Sequence, residues 1–238
     1  MNELSRNGRK VALVTGGNRG IGLAACKGLV AQQYDVFMGC RDLDDGHVVI
    51  NREALKNVTP LLLDVTDAAS VNRAIASITE GKGYLDILIN NAGISRGVRD
   101  KPSVEDLEQA QHTLEVNFFG VWRVIQACVP LMRGRSGAHI INVSSGHGSS
   151  TKVDSNNIAY RSSKAALNTL TQGFALELAE HDIRVNCMTP GWVRTKLGGL
   201  AAPRSPEEGA ATILWLAKED LNVTGSGQFF KDREIFPW

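Results

Sequence analysis

From Lys10 the chain runs Val11-Ala12-Leu13-Val14-Thr15-Gly16-Gly17-Asn18-Arg19-Gly20-Ile21-Gly22. Val11, Leu13 and Val14 form an apolar, β-branched run too short for a helix, which suits a strand buried on both faces. The run stops at Thr15-Gly16-Gly17. A second apolar pattern begins at Ile21 and continues through Leu23, Ala24, Ala25 and Leu29 at helical spacing. A strand, a glycine-rich turn and a helix in succession form the phosphate-binding corner of a doubly wound α/β fold. Gly16 lets the chain turn tightly, Gly20 lets the backbone approach a pyrophosphate, and Gly22 lets the helix pack close to the strand. The free N–H groups of the helix then face the phosphates with a partial positive charge. Three glycines alone fit an ordinary strand-to-helix turn equally well. The order Gly-x-x-x-Gly-x-Gly behind a threonine is the more specific signal.

The rest of the chain repeats this alternation. Tyr34–Gly39, Val58–Leu63, Leu85–Ile89, Ala138–Val143, Ile183–Met188 and Gly227–Phe230 read as further strands, with helical patterns between most of them. Seven short strands alternating with helices imply a parallel sheet between two helical layers, in one domain spanning 1–238. Thr66 or Asp67 is placed to cap the helix carrying Val71, Ile75 and Ile78. Ser103-Val104-Glu105-Asp106 reads as the opening of a long helix through Ile125, and Glu207–Leu216 as the last helix. The ending Ile235-Phe236-Pro237-Trp238 is apolar enough to dock.

At 238 residues the chain buries most of its apolar surface without staples. A net charge of +1, with scattered Lys and Arg, gives no sign of nucleic-acid or membrane-surface binding. No apolar run approaches the ~18 residues of a membrane span. Met1–Arg9 is polar and lacks the apolar core of a signal peptide. The four cysteines form no Cys-x-x-Cys pair, so the expectation is reduced thiols in a cytoplasmic protein. The five histidines lack ligand spacing, and no metal site is expected.

Chemistry-bearing residues cluster at strand ends, where ligands sit in this architecture. About twenty positions past the glycines, a carboxylate would accept hydrogen bonds from the adenosine ribose hydroxyls of NAD. Here Cys40 is neutral and Arg41 follows. A guanidinium binds a 2′-phosphate in a planar, charge-assisted way, and Arg19 would close on it from the other side. As solvated surface arginines the two would be unremarked, but flanking one phosphate position they favour NADPH over NADH. Asp42 opposes this reading, since it can pair with Arg41 or take the ribose itself. Asn117 interrupts an apolar helix face, a placement that demands a hydrogen-bond partner, a bend or a held water. Leu85–Ile89 runs into Asn90-Asn91-Ala92-Gly93, and Ala138–Val143 delivers Ser144-Ser145. Fifteen residues on, Tyr160-Arg161-Ser162-Ser163-Lys164 opens a helical pattern that sets Tyr160 and Lys164 at i and i+4 on one face.

Thr-Gly-x-x-x-Gly-x-Gly, Asn-Asn-Ala-Gly and Tyr-x-x-x-Lys after Ser-Ser, in this order, make the chain resemble the short-chain dehydrogenase/reductase family. The resemblance runs from Val11 to the last strand, and Gly-Asn-Arg-Gly-Ile-Gly, Arg41 and Pro-Gly-Trp-Val-Arg-Thr look most like its NADPH-dependent carbonyl reductases. It implies a Rossmann-type fold and a catalytic set of Asn117, Ser145, Tyr160 and Lys164, with Ser144 as the alternative serine. Asn117, in an Asn-x-x-Gly context, would anchor a proton-relay water. Asp64 would bond the adenine amino group, and Lys164 would hold the nicotinamide ribose. The implied NADP(H) site comprises Gly16, Asn18, Arg19, Gly20, Ile21, Arg41, Asp64, Val65, Asn91, Ala92, Gly93, Tyr160, Lys164, Pro190, Gly191, Val193 and Thr195. Thr189 stands where the family usually has an asparagine. Ile94, Ser145, His147 and Trp192 are candidate substrate contacts, Trp192 being assigned either to substrate or to core. Substrate loops are expected near 94–102, 146–158 and 191–206.

The activity implied is reduction of a ketone or aldehyde, with Tyr160 as proton donor. A phenol's pKa of about 10 is high for that task, and a cation within ~4–6 Å lowers it, so Lys164 has a reason to stand one turn away. An NAD-dependent alcohol dehydrogenase of the same family is the enzymatic alternative. A non-catalytic NADP-binding sensor or scaffold is the alternative of another class. Only 47 residues follow Gly191, which leaves little for the substrate domain of extended epimerases. Relatives pair through the helices bearing Asn117 and Lys164, so a homodimer or homotetramer is expected, the more so because the chain lacks the large insertion before the tyrosine that keeps some carbonyl reductases monomeric.

Overall fold

A computed structural model describes residues 8–95, 101–151, 154–218 and 225–238. The elements run β1 (Val11–Thr15), α1 (Gly20–Ala31), β2 (Asp35–Cys40), α2 (Leu43–Arg52), β3 (Val58–Leu62), α3 (Ala68–Gly81) and β4 (Ile87–Asn90). There follow α4 (Leu107–Leu114), α5 (Gly120–Met132), β5 (Ala138–Val143), α6 (Ile158–Glu177), β6 (Ile183–Met188), α7 (Pro206–Leu216), β7 (Phe229–Lys231) and β8 (Glu234–Ile235). The strands form one sheet in the order β3-β2-β1-β4-β5-β6-β7-β8. β1 to β7 pair in parallel, and only the two-residue β8 turns back antiparallel on β7. The expected seven parallel strands are present, with one short antiparallel strand added at the margin.

Strand alternation sorts the core into two layers. Val11, Leu13, Leu88, Ile140 and Val185 face α3, α5 and α6, while Ala12, Val14, Ile89, Ile141 and Met188 face α1 and α7. β1, β4 and β5 are buried throughout, because helices cover both faces. The chain leaves β1 to one side and β4 to the other, so the carboxyl ends of these strands open the crevice where ligands bind in such sheets.

One helix start falls on one of its two expected caps, and another lies later than expected. Asp67, not Thr66, caps α3, accepting from the Ala69 N–H, while Thr66 bonds Asp64. The long helix opens at Leu107 with Asp106 as its cap, and residues 102–104 form a turn before it. That helix is also not continuous. A π-helical segment, Glu115–Phe119, separates α4 from α5 and contains Asn117.

Candidate active site

The glycine corner is built as a cradle. α2, α3, α4 and α7 each begin with an Asp or Ser side chain accepting a backbone N–H, each worth about 1 kcal/mol. α1 has no such bond, its N-cap Arg19 is extended, and its first turn holds no acidic residue. The N–H groups at Gly20, Ile21 and Gly22 therefore keep their donors for an incoming anion. Gly20 adopts a φ of +53°, which side-chain-bearing residues rarely do. A Cβ on Gly22 would lie 2.3 Å from the Gly16 carbonyl oxygen and 2.5 Å from Asn91 Nδ2. These residues fit a pyrophosphate. Asn18 flanks the turn half-buried.

The next loop is stitched to this turn. Thr15 Oγ1 accepts the N–H groups of Asn91 and Ala92, both at 3.0 Å, and Asn91 Nδ2 donates to the carbonyls of Thr15 and Gly16, again at 3.0 Å. Gly93 stands exposed at the end of that loop, and a Cβ there would come within 3.3 Å of Asn117 Oδ1 and 3.7 Å of Lys164 Nζ.

In the glycine turn and just past the end of β2, Arg19 and Arg41 are exposed. Asp42, the residue that opposed the phosphate reading, caps α2 through the N–H groups of Asp44 and Asp45. Burial raises the pKa of Asp64, but bonds from the Thr66 hydroxyl and amide, with the Arg41 charge nearby, outweigh it and hold the carboxyl below its usual value. Val65 turns its side chain into the core against Gly120, and its carbonyl accepts from the Arg123 guanidinium.

The reactive groups meet at the carboxyl end of β5. Successive residues point to opposite sides there, which separates the two serines. Ser144 is buried and donates to Asn168 Oδ1 at 2.6 Å. Ser145 is half-buried, and its hydroxyl is near enough to the Tyr160 phenol to work against the rise in that group's pKa. Lys164, one turn along α6, places Nζ 5.8 Å from the Tyr160 ring centre and donates to the Val143 carbonyl at 2.8 Å. Burial pushes the Lys164 pKa down to about 8. Burial also pushes the Tyr160 pKa up, with the Ser145 hydroxyl working in the opposite sense. The net direction for the phenol is upward, and the Lys164 Nζ expected to depress it is bonded to the Val143 carbonyl.

Asn117 is fully buried and fully engaged. Its Oδ1 accepts the Ile94 N–H at 2.9 Å, and its Nδ2 donates to the Ile94 carbonyl at 2.8 Å and to Ser163 Oγ at 3.0 Å. Ser163 Oγ in turn donates to the Tyr160 carbonyl at 2.7 Å. Asn117 thus ties the loop after β4 to the turn that presents Tyr160. The π segment around it agrees with the frequent placement of such bulges at functional sites.

The loop after β6 closes the crevice. Thr195 packs on Gly20, a Cβ on which would meet Thr195 Cγ2 at 3.0 Å. Pro190 and Gly191 are braced by Arg204, which donates to the Pro190 carbonyl at 3.3 Å and holds Asp232 at 2.6 and 2.8 Å. Val193 is buried and pairs with Arg204 in an isolated bridge. Trp192 is 57% exposed with its indole N–H on the Gly198 carbonyl, which removes the core assignment. His147 is exposed, its ring edge-on to Tyr160 at 6.1 Å, and Ile94 is half-buried. Residues 96–100 and 152–153 of the expected substrate loops lie outside the described residues.

Several site-forming residues carry little signal of their own in the sequence. Glu105 caps α6 from outside, accepting the Ala159 N–H at 3.2 Å. Asn168 holds Ser144 and donates to the Gly148 carbonyl at 3.1 Å. Thr189 Oγ1 accepts the Gly146 N–H at 3.0 Å and so joins the ends of β5 and β6. Each partner is distant in the chain, and of the three only Thr189, beside Pro190-Gly191, stood out in the sequence.

A family model described as short chain dehydrogenase matches residues 10–204. Carbonyl reductase (NADPH) 1 of Rattus norvegicus is 30% identical, with 97% of this chain and 99% of the rat protein covered. A short-chain dehydrogenase of Penicillium roqueforti is 34% identical over 89% of each chain. Among solved structures, NADPH-bound carbonyl reductase from chicken fatty liver superposes with a TM-score of 0.88 at 31% identity, covering 97% of this chain and 99% of that one. Salutaridine reductase from Papaver somniferum gives 0.83 at 27% identity, covering 94% and 100%.

Proposed function

The chain belongs to the short chain dehydrogenase family, and from that premise we propose that it reduces a ketone or aldehyde to an alcohol with NADPH. It is an NADP(H)-dependent oxidoreductase, in keeping with the NADPH-bound relative and with two arginines, rather than a carboxylate, at the adenosine end. One observation carries the reading of the reaction. The Ser145 hydroxyl lies near enough to the Tyr160 phenol to oppose the rise in its pKa, and Lys164 stands one turn away beside Gly93.

The glycine corner, Asn91-Ala92-Gly93 and Pro190–Thr195 would hold the dinucleotide, with Arg19 and Arg41 on its 2′-phosphate. When bound, the nicotinamide supplies the hydride. Ser145 donates a hydrogen bond to the substrate oxygen as negative charge develops there. Tyr160 gives that oxygen its proton. Burial raises the phenol's pKa, so the resting group is protonated, and bringing that pKa toward the operating pH falls to the Lys164 charge one turn away. Lys164 has three donors, of which the Val143 carbonyl takes one, leaving others for a ribose hydroxyl. Asn117 fixes the Ile94 backbone and the Tyr160 turn, and resupply of the proton through a water at this segment completes the reading.

The substrate is a small carbonyl compound bound between Ile94, His147 and Trp192, and residues 1–238 act as one catalytic domain. A homodimer or homotetramer forms through α5 and α6. The alignment with the rat protein spans 277 positions against 238 residues here, so that relative carries stretches this chain lacks. Phe119 and Trp122 stand 46% and 38% exposed beside Phe118 on the π segment and α5, an aromatic group suited to such a contact. The cytoplasmic setting accords with four buried, unpaired cysteines.

The test is NADPH consumption with a panel of activated ketones by the parent and by Tyr160→Phe. Turnover should fall about 10²- to 10⁴-fold, the usual worth of a positioned general acid, with NADPH affinity unchanged. A variant within a few-fold of the parent would remove Tyr160 as the acid, and a parent inert to every ketone would remove the reductase reading.

A further inference from the structure

We propose that residues 236–238 are a clasp that positions Ser145 through the loop that follows it. The proposal rests on Ser145 being the hydrogen-bond donor to the substrate oxygen. The loop after β5 turns at Ser145, whose carbonyl accepts the Gly148 N–H at 2.9 Å and whose Oγ accepts the His147 N–H at 3.2 Å. Its inner half is anchored at two points, Gly146 to Thr189 and Gly148 to Asn168. Gly148 also lies flat on α6, where a Cβ would meet Lys164 backbone atoms at 2.7 and 2.9 Å. Its outer half hangs on the clasp. The Trp238 main-chain oxygen accepts Ser149 Oγ at 2.9 Å, Ser150 Oγ at 3.2 Å and the Ser150 N–H at 3.3 Å.

The clasp is itself fixed to the sheet. Phe229 is buried in β7, and the rings of Phe236 and Trp238 pack on it with centroids 5.2 and 5.4 Å away. The Phe236 N–H donates to the Phe229 carbonyl at 2.7 Å. Phe236 Cζ comes within 3.9 Å of the position a Cβ on Gly146 would take, so the ring also backs the residue next to Ser145. Two aromatic rings on a rigid strand and three donors on one oxygen set where the loop sits. Ser145 is the first residue of that loop, so its hydroxyl inherits the setting. Phe236 and Trp238 are thus positioning residues. They act on the reaction through Ser145, their contacts being with β7 and with the loop after β5.

The experiment compares Trp238→Ala and the double variant Ser149→Ala with Ser150→Ala, which approach the clasp from its two sides. Steady-state rates with NADPH and a reactive ketone, and NADPH binding by fluorescence, are measured for each. The expected result is a loss in kcat of about tenfold or more, the scale of a small misplacement of a reacting group, with NADPH affinity within twofold. Trp238→Phe, which keeps an aromatic ring on Phe229, should recover most of the loss. In a Ser145→Ala background the Ser149 and Ser150 changes should cost nothing further, since the group they position is gone. Parent-like kcat in both variants, a matching loss of NADPH affinity, or full additivity with Ser145→Ala would each overturn the clasp. Amide exchange at 145–148 decides the matter without turnover. It should quicken in both variants, and unchanged exchange would overturn the proposal even if the parent reduces no ketone, a result that would separately remove the reductase reading.

Discussion

Replacing Lys164 by methionine should stabilise the protein in the absence of cofactor while removing its turnover. The ammonium is buried, and burial lowers its pKa from 10.5 to about 8. Each pKa unit is worth about 1.4 kcal/mol, so the charged side chain costs the fold about 3 kcal/mol. Methionine fills similar space without the charge. It forfeits the bond to the Val143 carbonyl, worth about 1 kcal/mol. The net gain is about 2 kcal/mol, or about 4–8 °C in Tm for a chain of this size. The sign with pH follows from the depressed pKa. The penalty is complete below about pH 8, fades as pH rises toward the unfolded-state value near 10.4, and is absent above it. The advantage of methionine should therefore be largest at pH 7 and small at pH 10. Thermal unfolding of both proteins without cofactor at the two pH values reads this directly. A variant that melts at or below the parent at pH 7 would refute the argument that Lys164 is held charged at the expense of stability.

The two serines should separate cleanly. Ser144→Ala leaves Asn168 Oδ1 without its 2.6 Å donor and should lower stability by about 1–2 kcal/mol with turnover within a few-fold, whereas Ser145→Ala should cost about 10²- to 10³-fold in kcat with Tm nearly unchanged. Arg41→Asp should weaken NADPH binding about 10- to 100-fold, the worth of a charge-assisted bond, and leave NADH affected far less, measured as the ratio of kcat/KM for the two cofactors. Gly22→Ala forces a Cβ to 2.3 Å from the Gly16 carbonyl, so NADPH binding should be lost and unfolding shifted down by about 1–3 kcal/mol, the usual cost of overpacking.

The parts of the site legible in the sequence were those in which neighbouring residues do the chemistry. Gly20 and Gly22 lie in one turn, and Tyr160 and Lys164 share one helix face, so local spacing was enough. What the sequence left open depended on partners far along the chain. Ser144 and Ser145 are equivalent as letters, and strand alternation separates them only when Asn168 and Tyr160 are in place. Asn117 announced itself as a polar break in an apolar face, but its partners, Ile94 and Ser163, come from two other segments. α2 went unread because Val49 is its one large buried apolar residue, and Gly46 at its middle reads as a break. That glycine is there because a Cβ would strike Cys40 Sγ at 2.9 Å and Pro60 at 3.0 Å. Asp42 looked like a ligand for ribose because its role as the α2 cap was hidden with the helix.

The two margins of the sheet decide how copies of this chain avoid one another. A parallel sheet with an open side offers unpaired N–H and C=O groups to any passing strand, an invitation to templated aggregation. β3, at one margin, carries Pro60, which has no N–H to give. At the other margin β8 is two residues long and folds back through Asp232 and Arg233, both left-handed. Neither border presents a run long enough for another chain to extend, so growth of the sheet by strand addition is blocked at both ends.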